Sequence, residues 1–158
     1  MFNYNDLKKV IKNKVVRYLF NYAPVYRRTG GRITYISNDW HEVHVKLPLN
    51  WTTRNYVGTL FGGSIYGAID PIYMIMLIQI LGNDYIVWDK SALIKFKKPG
   101  RETLYAYLKI DSDEIDFIKS ELKTNFKLDR KYIVSLVDKN NLEHAYVEKI
   151  IHISKRKL

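Results

Sequence analysis

The sequence has no cysteine, and only four histidines and four prolines among 158 residues. The missing cysteine excludes a disulfide scaffold, thiolate chemistry and Cys-ligated zinc. It suits a reducing compartment, and a cytoplasmic location is expected. The few histidines assemble no metal site. His41 and His44 are an odd number of residues apart and face opposite sides of a strand. His144 and His152 share a face but stand roughly 27 Å apart along it. The start, MFNYNDLKKVIKNKVVRYLF, lacks a continuous apolar run and a small-residue cleavage site, so no signal peptide is expected. Acidic residues are also short, 16 against 26 lysines and arginines, which leaves a formal charge of +10.

That charge favours anionic partners: nucleic acid, an anionic membrane surface or a phosphate-bearing small molecule. The cations come in short groups: Arg27, Arg28 and Arg32; Lys95, Lys97, Lys98 and Arg101; Lys155, Arg156 and Lys157. The 13 tyrosines form no aromatic-basic motif of an RNA-recognition module, so nucleic acid is not an expected partner. With 47% hydrophobic and 27% charged residues, the chain reads as one globular domain over 1–158.

Leu7, Val10, Ile11, Val15, Tyr18 and Leu19 recur at helical spacing and predict an amphipathic helix over about 6–20. Such a helix covers its own core more often than it lies on a membrane, and the first reading is preferred. YAPVYRRTGGR reads as a loop. Residues 33–38 and 41–48 predict a hairpin, from the alternation of Val43, Val45 and Leu47 with polar neighbours. Ala92, Ile94 and Phe96, then Leu104, Ala106, Leu108 and Ile110, mark two more strands separated by a KKPGRE turn. DSDEIDFIKSELKTNF reads as a helix with acids in its first turn. Two final strands, about 131–138 and 144–153, flank an Asn140-Asn141 turn. The fold class is therefore α+β with an antiparallel sheet.

The segment from Ser64 to Leu81 is almost wholly apolar yet contains Gly67, Asp70, Pro71 and Gln79. A carboxylate in mid-span is costly in lipid, so a helix buried in the core of a fold is favoured over a membrane span. Pro71 clashes with the carbonyl four residues back, and Gly67 at that position leaves room for a kink.

The spacing Asn55-x-x-Gly58-Thr59-x-x-Gly62-Gly63, with Asp70 seven residues on, resembles the hotdog-fold thioesterases of the phenylacetyl-CoA type. The chain is more similar still to a thioesterase-like bacterial branch known only as a domain of unknown function, through GTLFGGSIYGAIDP, DYIVWDKSALIKFKKPGR and the final hairpin. The resemblance implies a sheet wrapped around a long central helix that the glycine pair begins, with Asp70 as the catalytic carboxylate. Two departures stand out. Phe61 occupies the place of a histidine in many catalysing relatives, and Asp89 or Lys90 falls where some relatives carry a water-orienting serine on the next strand. The hydratases of the superfamily pair an aspartate with a nearby histidine. Here none lies between His44 and His144, so that chemistry is not expected.

A helix begun by two glycines keeps its first N–H groups free, a setting for an oxyanion, or the pair is simply a tight turn. Asp70 is then expected as general base or nucleophile, its pKa raised if burial is apolar, or else as a carboxylate satisfied by local backbone or hydroxyl groups. Asn55 orients water or substrate, or holds a turn; Thr59 is the more structural of the two. Phe61, Asp89 and Lys90 line the substrate site, and Lys95, Lys97, Lys98 and Arg101 are candidates for the phosphates of coenzyme A. The expected function is hydrolysis of acyl-CoA or an acyl-carrier-protein thioester. The alternative is a non-catalytic acyl- or ligand-binding protein. No cofactor and no metal are implied. Seven helical residues between Gly63 and Asp70 span about 10 Å, so one helix cannot bring both to the same carbonyl. A second copy can, which predicts a homodimer, or a tetramer built from such dimers.

Overall fold

The computed structural model describes residues 4–156, with side chains from Asn13 onward. Leu7, Val10, Ile11 and Lys157, singled out in the sequence, therefore have side chains outside the described residues.

Period-two alternation builds six strands: β1 (Arg32–Ile36), β2 (Glu42–Leu47), β3 (Tyr85–Phe96), β4 (Leu104–Lys109), β5 (Lys127–Val137) and β6 (Glu143–Lys155). They form one sheet in the order β1-β2-β4-β5-β6-β3, and every neighbouring pair is antiparallel. Both edges, β1 and β3, are thus early strands. The KKPGRE segment is not a hairpin turn, because β3 pairs with β6 while β4 lies between β2 and β5. It carries the chain from one edge back into the sheet.

Five helices are α1 (Tyr4–Tyr22), α2 (Pro24–Arg27), α3 (Gly62–Ile69), α4 (Ile72–Leu81) and α5 (Ser112–Thr124). The fold class is α+β with the sheet around a central helical pair, as the sequence predicts. Ile65, Ala68, Ile69, Ile72, Tyr73, Met76 and Leu77 of α3 and α4 are buried in one core with Val43, Val45, Leu104, Leu108, Val134, Leu136, Val147 and Ile151 of the strands. By length and hydropathy Gly62–Leu81 would also suit a membrane span. Here it is the core helix, broken where the proline predicts. α3 ends at Ile69, and α4 restarts with the Ile75 amide bonded to the Pro71 carbonyl at 3.0 Å.

Gly67 has a second reason to lack a side chain. A Cβ there would stand 3.0 Å from the Thr29 methyl, and one at Gly31 would stand 2.9 Å from the Ala68 backbone. The loop after α2 lies directly on α3, pinned by the Tyr26 hydroxyl donating to the Ala68 carbonyl at 2.8 Å. The expected loop at 22–32 thus contains a one-turn helix, begun by Pro24 in the first-turn position that proline tolerates.

The predicted amphipathic helix exists, but its inner face is not the predicted one. Val15, Tyr18 and Leu19 are exposed, while Asn13, Val16, Arg17, Phe20 and Asn21 turn inward. The physical cause is the free edge of β1. Asn13 donates to the Ser37 carbonyl at 2.9 Å and Arg17 donates to the Thr34 carbonyl. Asn21 both donates to the Ile33 carbonyl and accepts from its amide, at 2.9 and 2.8 Å. An edge strand left with unpaired backbone groups is satisfied by polar side chains of a covering helix.

Candidate functional site

Two features of the central helix pair meet chemistry. The first is the break at Asp70-Pro71. Along β6, Ala145, Val147, Lys149, Ile151 and Ile153 alternate toward the core. Lys149 is the one charged member, and it is fully buried. Its Nζ lies 2.8 Å from Asp70 Oδ1 and 2.9 Å from Asp89 Oδ1, and it also donates to the Asp70 main-chain carbonyl. The proline break is what makes that carbonyl available, since the helix no longer runs regularly past it. An ammonium has three N–H donors. Two carboxylates and a carbonyl therefore enclose the Lys149 Nζ.

Asp89 reaches this cluster because of a bulge. β3 pairs Asp89 with Ile151 but Ser91 with Ile150, so Lys90 is the extra residue. By their pairing with inward residues of β6, Val87 and Asp89 before it and Ala92, Ile94 and Phe96 after it lie on the core face of the sheet, although Ala92 and Phe96 remain exposed. Of the two sequence candidates, Asp89 therefore enters the site. Lys90 turns away to pair with Asp129 at 2.5 Å. Asp89 Oδ1 is buried and makes no hydrogen bond of good geometry, so its contact with Lys149 is a charge contact. Burial raises the Asp89 carboxyl above its ordinary range; Lys149 pulls it back, and the Asp70 charge pushes it up again.

Asp70 departs from the expectation of apolar burial. Its side chain is 42% exposed and tied through one oxygen to Lys149, leaving the second oxygen without that bond. Tyr66, one turn back on α3, stands beside it. Its hydroxyl is held above the ordinary tyrosine range, first by burial and then by contact with the Asp70 carboxylate. The Lys149 ammonium is 5.5 Å from the Tyr66 ring centroid.

The second feature is the start of α3. Its first turn has no side-chain cap, and the Ile65 amide is the first to bond back, to the Phe61 carbonyl at 3.0 Å. Gly62 faces a cleft of about 410 Å³ with Asn55, Thr59, Phe96, Lys97 and Lys98 among its walls. Gly63 lies under the Phe61 ring, where a Cβ would come within 2.4 Å of a ring carbon.

The structure thus groups Asn55, Thr59, Gly62, Lys97 and Lys98 at one end of α3, and Asp70 and Asp89 at the other. Lys95 and Arg101 are exposed and outside the cleft wall. Lys97 is shared with Glu143, in a contact that holds the Glu143 carboxyl below its ordinary range. Asn55 spends its side chain on its own loop, accepting from the Val57 and Thr59 amides and donating to the Thr59 hydroxyl at 3.0 Å. One amide N–H remains to face a ligand. Lys149 was missed in the sequence, although its signal is there: a lysine at an inward position of an alternating strand.

A family model described as a domain of unknown function, DUF4442, matches residues 12–150. No curated protein matches the sequence. Among solved structures, a protein of unknown function from Pseudomonas aeruginosa, named a probable thioesterase, superposes with a TM-score of 0.80 at 14% identity, covering 90% of this chain and 95% of that one. A thioesterase from Haemophilus influenzae gives 0.66 at 12% identity, covering 90% of both chains. A mutant thioesterase enzyme from Staphylococcus aureus gives 0.62 at 10% identity, covering 84% of this chain and 99% of that one. At these identities the likeness is one of fold, the hotdog fold of the thioesterases.

Proposed function

The chain belongs to the DUF4442 family, and from that premise and its hotdog fold we propose that it hydrolyses acyl thioesters carried by coenzyme A or an acyl-carrier protein. The observation that carries this reading is the Asp70 carboxylate, part-exposed at a helix break and fixed by a buried lysine through one oxygen, the second oxygen making no bond to that lysine. Acting as general base, that oxygen takes a proton from water as the water oxygen bonds to the thioester carbon. The carbonyl oxygen becomes an oxyanion. Its collapse breaks the C–S bond, and the departing sulfur takes the proton from Asp70, giving a carboxylic acid and a free thiol. Attack by Asp70 itself would proceed through an anhydride that water then opens.

The oxyanion needs donors about 3 Å away, and the amides at the start of α3 are the ones free to give. They stand about 10 Å along the helix from Asp70 of the same chain. The proposed site is therefore shared, with Gly62 or Gly63 of one copy facing Asp70 of another across a two-fold axis. β3 suits this assembly: it is a sheet edge, and Trp88, Leu93 and Phe96 along it are half exposed. Lys97 and Lys98 at the cleft would meet the phosphates of the carrier.

A second reading is favoured by Phe61. Its ring packs over Gly63, at the place where the resemblance puts a histidine in many catalysing relatives, which suits a protein that binds acyl groups without cleaving them. Thiol release from short, long and aromatic acyl-CoAs separates the two. Hydrolysis gives catalytic turnover on at least one of them, whereas a binder gives saturable binding by calorimetry with no thiol released.

A further inference from the structure

We propose that the outer face of α1 and α2 is a docking surface for an anionic lipid bilayer. Among its described side chains, α1 carries apolar groups on both its inner and its outer face. Its inner side holds the β1 edge through Asn13, Arg17 and Asn21 and packs Val16 and Phe20 against the core, while a second apolar stripe points away from the protein. Val15, Tyr18, Leu19 and Tyr22 are each more than half exposed, and Val25 at the start of α2 is 84% exposed. Positions 15, 18, 19 and 22 fall on one side of a helix, three and four residues apart. The Tyr18 and Tyr22 rings touch, with centroids 4.4 Å apart, so the stripe is continuous.

The occupant is argued from charge. Lys14, Arg27 and Arg28 are exposed and flank the stripe in sequence, and no acidic residue lies between Lys14 and Arg28. The Arg27 guanidinium sits 5.9 Å from the Tyr22 ring centroid, at the rim of the apolar strip. A chain of formal charge +10 adds long-range attraction to a negative surface. Tyrosine rings beside aliphatic groups, fringed by lysine and arginine, match the layering of a bilayer interface, with acyl chains below and anionic headgroups around. A protein partner would need carboxylates placed to meet three cations; a membrane of anionic lipid supplies negative charge at every position. None of this depends on the Asp70 site.

The test is co-sedimentation of the full chain with vesicles of phosphatidylcholine alone and of phosphatidylcholine with phosphatidylglycerol, at low and high salt. The variants are Leu19→Glu and Tyr22→Glu together, and Arg27→Gln with Arg28→Gln. All four positions are exposed, so far-UV circular dichroism is expected to be unchanged. The proposal predicts binding to the anionic vesicles only, weakened by salt. It also predicts about a tenfold or greater loss of partitioning in the Leu19/Tyr22 variant and a smaller loss in the arginine variant. It is overturned if the anionic vesicles bind no protein. It is equally overturned if the Leu19/Tyr22 variant binds as well as wild type, which would make the attraction a diffuse charge effect. A fall in solution mass on mutating Leu19 and Tyr22 would assign the stripe to contact between copies of the chain and overturn it too.

Discussion

Lys149→Met probes the charge cluster most severely. Methionine keeps most of the side-chain length and removes the ammonium that stands 2.8 Å from Asp70 and 2.9 Å from Asp89. Removing one partner of a fully buried pair costs about 3–5 kcal/mol, because a charge is left without compensation. Lys149 is fully buried, but Asp70 and Asp89 keep 42% and 24% of their side chains exposed, so water relieves part of the penalty. The low end, about 3 kcal/mol, is the appropriate figure. For a domain of this size that corresponds to a fall in Tm of about 6–12 °C at neutral pH. Adding Asp89→Asn to Lys149→Met removes the more buried carboxylate and is expected to return part of the loss. Thermal unfolding followed by circular dichroism reads both variants. A fall of less than about 2 °C, or a double variant less stable than Lys149→Met alone, would refute the view that Lys149 neutralises two carboxylates.

Asp89→Asn alone tests the same cluster through pH. Burial raises the folded-state pKa of Asp89 above the unfolded one, so its contribution is fullest below the ordinary aspartate range and is lost as pH rises through the raised value. The Tm of Asp89→Asn minus that of wild type is therefore expected to climb as pH rises from the ordinary aspartate range, and a flat difference would contradict the raised value. Lys98→Glu is expected to weaken acyl-CoA binding by calorimetry, more at low than at high salt; equal affinity at low salt would remove Lys98 from the phosphate site. Gly31→Ala places a Cβ 2.9 Å from the Ala68 backbone and is expected to cost about 1–3 kcal/mol, read as a lower denaturant midpoint at constant slope; an unchanged midpoint would show that the loop yields.

What the sequence made legible was local. β2 and β4 follow unbroken alternation, the Asn140-Asn141 turn is fixed by Asp138 accepting the amides of Asn140 and Leu142, and Pro71 breaks its helix through its own ring. What escaped was set by neighbours distant in sequence. Lys149 looks like one more cation in a basic chain until Asp70, 79 residues away, and Asp89 stand beside it. β3 begins at Tyr85, seven residues before the alternation visible from Ala92, because the bulge at Lys90 reverses which parity faces inward. On α1 the periodicity was plain, but which face turns inward depended on the unpaired edge of β1, and that edge exists only once the strand order is known.

The shared active site is tested most directly by mixing two inactive variants. Asp70→Asn chains lose the base, and chains with leucine substituted at Gly63 block the proposed oxyanion end. Each alone is expected to release no thiol from an acyl-CoA that wild type cleaves. After denaturation and joint refolding, half the dimers are mixed and each mixed dimer holds one intact site, so about a quarter of wild-type activity is expected to return. Wild-type turnover by Asp70→Asn, or no recovery in a mixture whose subunits have demonstrably exchanged, would contradict it.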